Sequence, residues 1–363
     1  MKILAVNPGS ATLKTQLFDM SAPNDASADS QLVEAGPQGL LPAIQTRFPT
    51  RPAVDAVVCR VVHGGSDFVG PVRVDAAVLQ RIDYWGRLAP LHNPIAAEIL
   101  RYFQSLDAAL PLVAVFDTAF PATLPPVAFT EAIPRELAQR HGLRRYGMHG
   151  ISYQHVVRQM AEYLPEAQRL IVAHLGNGSS ISAIRAGRCV DTSMGLTPLP
   201  GLIMGSRCGD LGPDVVLELQ RRLGMNADEI ENVLTRESGL KGLAGTADMR
   251  ELLARDDEAA QLAVEMYCYR VRKYIGAYAA VLGGVDALVF TGGIGENSAS
   301  VRARILEPLA WLGFQADPHG NEQPLTGDRV ISAAGAKTTI WVIPADEEKE
   351  MARQAAALLA IGG

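Results

Sequence analysis

The sequence predicts an α/β fold, because short apolar runs typical of buried strands alternate along the chain with segments of helical spacing. A second observation is a repeated pattern of apolar strand, polar residue, Gly-containing turn and second strand, found at 3–13 and again at 170–181. This repeat favours an internal duplication into two related domains. Two unrelated hairpins would give the same pattern, since Gly/Ser turns are common, and the sequence leaves both explanations open.

The first half of the chain consists of strands separated by polar turns. Apolar runs or apolar–polar alternation predict strands at 3–6, 13–20, 54–62 and 111–117. The small, polar segment 21–30 is predicted to be a surface loop, and 94–104 to be a helix with Pro94 in its first turn. Three prolines, at 121, 125 and 126, interrupt regular structure, so we expect a domain boundary near them.

The second half continues the alternation. Strands are predicted at 170–174, at 180–184, at the start of 286–297 and at the start of 338–348. Helices are predicted at 213–224, 226–237, 257–282 and 351–360. Asn226 is a suitable N-cap because Glu229 follows three positions later, as in a capping box.

Composition limits the class of protein. A hydrophobic fraction of 48% with 20% charged residues is globular, and a net charge of −6 argues against a nucleic-acid partner. The four cysteines contain no CxxC pair, so neither a zinc site nor a disulfide framework is indicated. Apolar runs fall short of the roughly 18 residues that a membrane span needs, and the first apolar run is too short for a signal peptide. These features predict a cytoplasmic protein without a membrane partner.

Three Gly-rich turns follow predicted strands, at 8–12, 176–180 and 292–298. Glycine lets the backbone approach an anion closely, and exposed N–H groups can then bind phosphate oxygens. A single such turn would be explained by a hairpin, whereas three in one chain indicate a nucleotide. The P-loop and Rossmann signatures are both missing from the sequence, so the predicted site is of neither type.

Several charged residues lie at strand ends or in Gly-rich surroundings. Arg60 ends a strand and Arg207 is flanked by glycines, positions from which a guanidinium can bind a carboxylate or phosphate, although a surface ion pair is the ordinary explanation. Asp117 and Glu347 follow strands, where a catalytic, Mg²⁺-binding or helix-capping role is equally plausible. Three histidines, His92, His149 and His174, have polar settings, and for each of them a structural hydrogen bond is the ordinary explanation. His63 is interpreted as structural.

These segments resemble the acetate kinases. The matching blocks run in order over essentially the whole chain: NPGSATLK, CRVVHGG, LAPLHNP, FDTAF, RRYGMHG, HLGNGSS, TSMGLTPLPGLIMGSRCGD, ESGLKGLAG, DMR, FTGGIGENS and VIPADEE. The resemblance implies two ribonuclease-H-like domains from an internal duplication with a nucleotide cleft between them. It further implies domain limits of 1–119 plus 349–363 and of 120–348, and a homodimer.

The resemblance also implies site residues. Catalysis would use Asn7, Arg60, Asp117, His149 and Arg207. Mg²⁺, or Mn²⁺ in its place, would be held or oriented by Asn7, Asp117 and Glu347. The carboxylate substrate would meet Arg60, Val62, Leu91, His92, Met148 and Pro198. ATP or ADP would meet Ser10, Thr12, Lys14, His174, Gly176, Asn177, Gly178, Asp248, Met249, Arg250, Gly293, Ile294 and Asn297.

The implied reaction is direct transfer of the ATP γ-phosphoryl group to acetate, with two alternatives. Met148 stands where the family usually has Phe, and a flexible Met could admit propionate or a longer acyl chain. Pro121 and Tyr153 also replace histidines usual in the family. The other alternative is a nucleotide-binding protein without catalysis, which the joint presence of the catalytic set disfavours.

Overall fold

The computed structural model describes residues 1–9, 12–21, 26–324 and 326–361. Its elements up to the predicted proline-rich boundary are β1 Lys2–Pro8, β2 Thr12–Asp19, β3 Ala26–Glu34, α1 Pro37–Arg47, β4 Ala56–Val61, β5 Val72–Arg73, α2 Ala76–Trp85, α3 Asn93–Leu106 and β6 Leu112–Phe116.

The remaining elements follow the same strand–helix alternation. They are α4 Pro126–Phe129, α5 Arg135–His141, α6 Gly150–Tyr163, β7 Arg169–Leu175, β8 Ser179–Arg185, β9 Arg188–Thr192, α7 Pro213–Arg221, α8 Ala227–Asn232, α9 Gly239–Ala244, α10 Met249–Leu253, α11 Glu258–Leu282, β10 Ala287–Thr291, α12 Gly292–Asn297, α13 Ala299–Leu306, α14 Pro318–Glu322, β11 Arg329–Val330, β12 Thr339–Val342 and α15 Glu347–Ile361.

The chain forms two compact units. The first contains Met1–Ala122, Met148–His155 and Asp346–Gly363, and the second contains Thr123–Gly147 and Val156–Ala345. The domain limits that the family resemblance implies stay a prediction.

Both units contain a six-stranded mixed sheet with one and the same connectivity. The first sheet has the order β3-β2-β1-β4-β6-β5 and the second, read from its β9 edge, has the order β9-β8-β7-β10-β12-β11. In each, an antiparallel three-stranded meander leads into two parallel neighbours and a short antiparallel edge strand. The predicted internal duplication is therefore confirmed, since unrelated hairpins would not be continued by equivalent strands.

The sheet of the first unit is covered on both faces. Along β1, Ile3 and Ala5 pack in a cluster with Met351 of α15, whereas Leu4 and Val6 pack on the opposite face in a cluster that includes α1 and α3. The same alternation holds along β4 and β6. Because both faces are buried, these strands are continuous apolar runs, which is how the sequence revealed them.

The second unit is built on the long helix α11. Its N-cap Asp257 accepts a hydrogen bond from the backbone N–H of Ala260, and Gly283 ends it in the left-handed conformation. Buried residues of α11, among them Val264, Val271 and Ile275, pack with those of β7, β8 and β10 in one core. The capping box predicted at Asn226 and Glu229 is confirmed at the start of α8.

Two sequence predictions for the first unit need correction. The loop predicted over 21–30 is wrong from Ala26 onward, because β3 pairs antiparallel with β2 along the sheet edge; residues 22–25 lie outside the described part. The helix predicted from Met351 begins four residues earlier, at Glu347, because the Asp346 carboxylate accepts a hydrogen bond from the Lys349 backbone N–H and caps it. No helix in the described part of the chain is long and apolar enough to cross a membrane.

Candidate active site

A network of charged and amide side chains lies at the carboxyl ends of three parallel strands in the first unit. Asn7 is near the end of β1, Arg60 near the end of β4, and Asp117 directly follows β6. Because β1 pairs parallel with β4, and β4 with β6, these ends meet at one edge of the sheet, the usual place for ligands in α/β proteins. The three residues that the sequence singled out here are brought into contact.

The centre of this network is the Arg60–Asp117 pair. The Arg60 guanidinium donates to the Asp117 carboxylate in a two-pronged arrangement, with Nε to Oδ1 at 3.0 Å and Nη2 to Oδ2 at 2.6 Å. Arg60 Nη1 also donates to Oδ1 of Asn7 at 3.0 Å. The paired bonds fix the plane of the guanidinium, which is the geometry suited to recognising a planar or tetrahedral oxyanion.

Two glutamates at the start of α15 complete the network. Asn7 Nδ2 donates to Oε2 of Glu347 at 3.0 Å and to Oε1 of Glu348 at 2.7 Å. Lys14 Nζ donates to the other Glu348 oxygen at 2.6 Å. Three carboxylates thus face two cations, and Asn7 holds the glutamates and Arg60 at the same time.

Burial and charge shift the pKa values within this network. Burial and neighbouring Glu347 raise the pKa of Asp117 to about 6, although the Arg60 guanidinium opposes the rise. Burial would lower the pKa of Arg60, but Asp117 and Glu347 outweigh it and the pKa is raised. For Lys14, likewise, the ion pair with Glu348 outweighs burial and raises the pKa. Both cations therefore stay charged at neutral pH.

His149 is held against the same network by its backbone. Its N–H donates to the Asp117 carboxylate, and the next residue, Gly150, donates its N–H to the Asp117 carbonyl oxygen at 2.9 Å. A Cβ on Gly150 would lie 2.2 Å from that oxygen, so the close approach requires glycine. His149 itself has a φ of 59°, a left-handed conformation that costs a non-glycine residue energy and is typical of functional positions.

The other predicted residues of the first unit differ in burial. Val62 and Met148 are buried, and Leu91 and His92 are half-buried, with His92 preceding α3 at the N-cap position. Thr12 is exposed at the start of β2. Ser10 lies outside the described residues.

In the second unit, the 176–180 turn joins β7 to β8. His174 pairs with Ser180 across this hairpin and is aligned with Thr291 of β10. The backbone N–H of Gly176 donates to the carbonyl of Gly178 at 3.1 Å. A Cβ added to Gly176 would lie 3.9 Å from the backbone nitrogen of Gly293, so the 176–180 turn adjoins α12. The Gly-rich turn predicted at 292–298 is therefore wrong in its type, because Gly292–Asn297 forms this short helix.

Arg207 lies in the 201–210 loop, and no carboxylate among the described residues balances its charge. Its Nη1 donates to the carbonyl oxygen of Pro198 at 2.8 Å, and it forms no ion pair with any residue in 1–9, 12–21, 26–324 or 326–361. Burial lowers the pKa of Arg207, and no acidic neighbour in the described part of the chain opposes the effect. A partly desolvated cation of this kind is a site prepared for an anion.

Gly239 packs closely against the backbone of the 201–210 loop, and the space between them leaves no room for a side chain. Its φ is +62°, and a Cβ there would lie 2.2 Å from the Met204 carbonyl oxygen and 2.7 Å from that of Arg207.

We expect Gly239→Ala to displace Arg207 and lower kcat at least tenfold, measured by steady-state kinetics. The matched control is Gly245→Ala, at the other end of α9, where φ is +83° but nothing lies within 4 Å of the added atom. Equal losses in the two variants would show that backbone strain alone is responsible.

Of the remaining residues predicted to bind adenosine, Met249 is buried, Asp248 and Ile294 are half-buried, and Arg250, Gly293 and Asn297 are exposed. Asp248 caps α10 by accepting from the Arg250 backbone N–H at 2.8 Å, and it also pairs with the Arg250 guanidinium. Met249 is 4% exposed and packs in the core. Ile294 packs partly against that core, and the Asn297 amide donates to the Gly293 carbonyl at 2.9 Å.

Sequence reasoning missed Glu348, which is 2% exposed and holds both Asn7 and Lys14. The sequence did contain an indication of its position. Asp346 is a good N-cap, and a helix that begins directly after it has Glu348 in its first turn. In 1–9, 12–21, 26–324 and 326–361, no three His, Cys, Asp or Glu side chains are grouped to hold a metal ion by themselves.

Comparisons with known proteins agree with one another. The model of the Acetokinase family matches residues 40–353. A Streptomyces coelicolor protein named acetate kinase is 44% identical over 398 residues, covering 100% of this chain and 98% of that protein. One from Syntrophobacter fumaroxidans, also named acetate kinase, is 51% identical over 301 residues, covering 81% of this chain and 73% of that protein.

Solved structures give the same result. The crystal structure of Porphyromonas gingivalis acetate kinase has a TM-score of 0.88 at 34% identity, covering 99% of each chain. A propionate kinase from Francisella tularensis has a TM-score of 0.88 at 38% identity, covering 97% of this chain and 98% of that one.

Proposed function

The chain belongs to the acetokinase family and phosphorylates acetate with ATP, and we propose that it does so by direct in-line transfer. One oxygen of the acetate carboxylate attacks the γ-phosphorus. A phosphorus–oxygen bond forms there while the bond to the β–γ bridging oxygen breaks, so ADP leaves with the electron pair and acetyl phosphate is formed. A carboxylate is already nucleophilic at neutral pH, so the reaction needs positioning and positive charge rather than a strong base.

The observation that carries this proposal is the unbalanced charge of Arg207. Two anions must approach each other, and the charges of Arg60 and Lys14 are each offset by a carboxylate at 2.6 Å. Arg207 has no such partner among the described residues and can give its whole charge to the transferring phosphoryl group and the acetate carboxylate.

The first unit would supply orientation. Arg60, fixed by Asp117 and Asn7, would bind the substrate oxygens through its remaining N–H donors. The His149 imidazole would donate a hydrogen bond to the phosphoryl group as charge develops, without becoming phosphorylated. Pinning of its backbone to Asp117 supports this role, since a donor must be in place before the reaction.

Asp117, Glu347 and Asn7 would hold or orient Mg²⁺, or Mn²⁺ in its place. Two carboxylates and an amide oxygen are donors that Mg²⁺ accepts, and it usually takes its other ligands from water and substrate phosphates. The residues therefore fit the ion. When bound, the ion would neutralise phosphate charge.

The nucleotide would be bound by glycine turns and short helices. The 176–180 turn, with Gly176, Asn177 and Gly178, would face the phosphates beside His174, and Lys14, Thr12 and Ser10 would support them. Adenosine would lie near Asp248, Met249, Arg250, Gly293, Ile294 and Asn297. Support comes from the adjoining Gly176 and Gly293 backbones and from the exposed Arg250.

As the family resemblance implies, the acyl group would meet Val62, Leu91, His92, Met148 and Pro198, and Met148 gives the main test of substrate choice. We expect Met148→Phe to raise the preference for acetate over propionate, as the ratio of kcat/KM values, by about tenfold, since one methylene is worth about 1–3 kcal/mol. This ratio is measured with acetate, propionate and butyrate by trapping the acyl phosphate as the hydroxamate. The same assay with and without a chelator measures the dependence on the divalent ion.

Met160→Phe is the matched control. Met160 is as buried as Met148 but lines a separate cavity of about 240 Å³ with Val157 and Leu170, so the ratio should not change. A higher kcat/KM for propionate in the unaltered chain would favour the propionate kinase alternative. Absence of any acyl phosphate, with nucleotide binding retained, would favour the non-catalytic binder.

The proposal includes a homodimer in the cytoplasm. Leu262, Tyr269 and Val281 of α11 are exposed apolar residues that a second copy could cover. The four cysteines are unpaired, as is usual in a reducing compartment.

A further inference from the structure

One face of α11 contacts both loops that are proposed to bind anions in the second unit. Tyr267, Arg270 and Tyr274 are spaced three and four residues apart, so their side chains lie along one face of the helix. Tyr267 contacts the 176–180 turn, and the other two contact the 201–210 loop.

Tyr267 acts on the 176–180 turn through Ser179. The Tyr267 hydroxyl lies 3.0 Å from Ser179 Oγ, and Ser179 Oγ donates to the Gly176 carbonyl at 2.9 Å. A serine hydroxyl has one proton, so Tyr267 must be the donor to Ser179. Both side chains are fully buried, which makes the chain of bonds from Tyr267 to Gly176 rigid.

Arg270 and Tyr274 act on the base of the 201–210 loop through Asp210. The Asp210 carboxylate accepts from the Gly201 backbone N–H at 2.8 Å and from the Tyr274 hydroxyl at 2.7 Å. The Asp210 N–H donates back to the Gly201 carbonyl at 3.0 Å. Arg270 Nη1 donates to the same carbonyl at 3.0 Å. The two ends of the loop are thereby tied to each other and to α11, with Arg207 between them.

We propose that this face of α11 positions both anion-binding loops, Tyr267 setting the nucleotide turn and Arg270 and Tyr274 setting the loop of Arg207. The inference rests on the proposed function. The tyrosines and Arg270 are positioning residues, because each acts through Ser179 or Asp210 rather than on a substrate. The contact of Tyr267 with the nucleotide turn is separate from the contacts of Arg270 and Tyr274 with the loop of Arg207. Removal of the first should therefore affect ATP, and removal of the others should affect acetate.

Three Tyr→Phe variants on this one helix test the proposal. We expect Tyr267→Phe to raise KM for ATP about 3- to 10-fold with KM for acetate within twofold, the loss of one positioning hydrogen bond. Tyr274→Phe should lower kcat/KM for acetate by a similar factor with KM for ATP within twofold, and Asp210→Ala should lower it further. The control is Tyr278→Phe, whose hydroxyl lies 3.4 Å from Asp191 and contacts neither loop; both kinetic constants should stay within twofold.

Urea unfolding of the same variants separates positioning from general support. Loss of a buried hydroxyl should destabilise Tyr267→Phe and Tyr278→Phe alike, while only the former changes KM for ATP. Activity losses that track stability in all the variants, or that affect both substrates equally, would overturn the inference while the unaltered chain still makes acetyl phosphate. An unaltered chain that makes none would instead overturn the proposed function.

Discussion

Arg207→Ala should lower kcat for acetyl phosphate formation by about 10²–10³-fold and leave the free energy of unfolding unchanged or higher. The loss in rate follows from removing a preorganised cation from the developing charge. The effect on stability follows from the lack of a carboxylate beside Arg207 among the described residues. The folded state holds a partly desolvated guanidinium that donates a hydrogen bond to the Pro198 backbone carbonyl. Alanine removes that cost. Hydroxamate kinetics and urea unfolding measure the two effects.

Arg222→Ala is the control for Arg207→Ala. Arg222 is exposed and pairs with Glu218 one helical turn away, so its removal should change neither quantity appreciably. Near-normal turnover of Arg207→Ala would refute the role given to Arg207. A large fall in its unfolding free energy would show that the guanidinium has a structural anionic partner after all.

Arg60→Ala should lose both activity and stability. The rate should again fall at least 10²–10³-fold, because the donors that orient the substrate are gone. The unfolding free energy should also fall, by about 3–5 kcal/mol, because Asp117 is left buried and unpaired with 1% of its side chain exposed. Urea unfolding beside steady-state kinetics tests this pair of effects.

A second substitution distinguishes the two losses in Arg60→Ala. Adding Asp117→Asn removes the unpaired charge and should restore part of the stability but none of the activity. If Arg60→Ala unfolds at the same urea concentration as the unaltered chain, the Arg60–Asp117 pair does not stabilise the folded protein. The opposite stability effects predicted for Arg60 and Arg207 reflect their surroundings, since the residue type and the substitution are the same.

The part of the site that the sequence predicts best lies at strand ends. Asn7, Arg60 and Asp117 follow apolar runs, and parallel pairing of β1, β4 and β6 brings such ends together whatever the loops do. Individual roles came from the family resemblance. Neither the strand pattern nor the resemblance predicted the hydrogen-bond partners of these residues. Arg60 pairs with Asp117 because the tertiary structure places the two side chains together.

Two further features were out of reach for related reasons. β3 has the small, polar composition of a loop, and what makes it a strand is backbone pairing with β2, which no side-chain pattern encodes. Tyr267 and Tyr274 read as ordinary members of an amphipathic helix, and only the fold shows that their hydroxyls reach Ser179 and Asp210. Long-range hydrogen bonds of this kind leave no local signature.

The matching connectivity of the two sheets records how the ancestral copies diverged. Asn7 and His174 occupy the same place in corresponding strands, facing Lys14 and Ser180 across their hairpins. The interiors of these two strands have stayed apolar in both copies, while the residues near their ends differ: an amide and a lysine in the first copy, and an imidazole and a serine hydroxyl in the second. Evolution thus kept one framework twice and specialised each at its rim, so residues at matching rim positions are the natural places to transplant one copy's chemistry into the other.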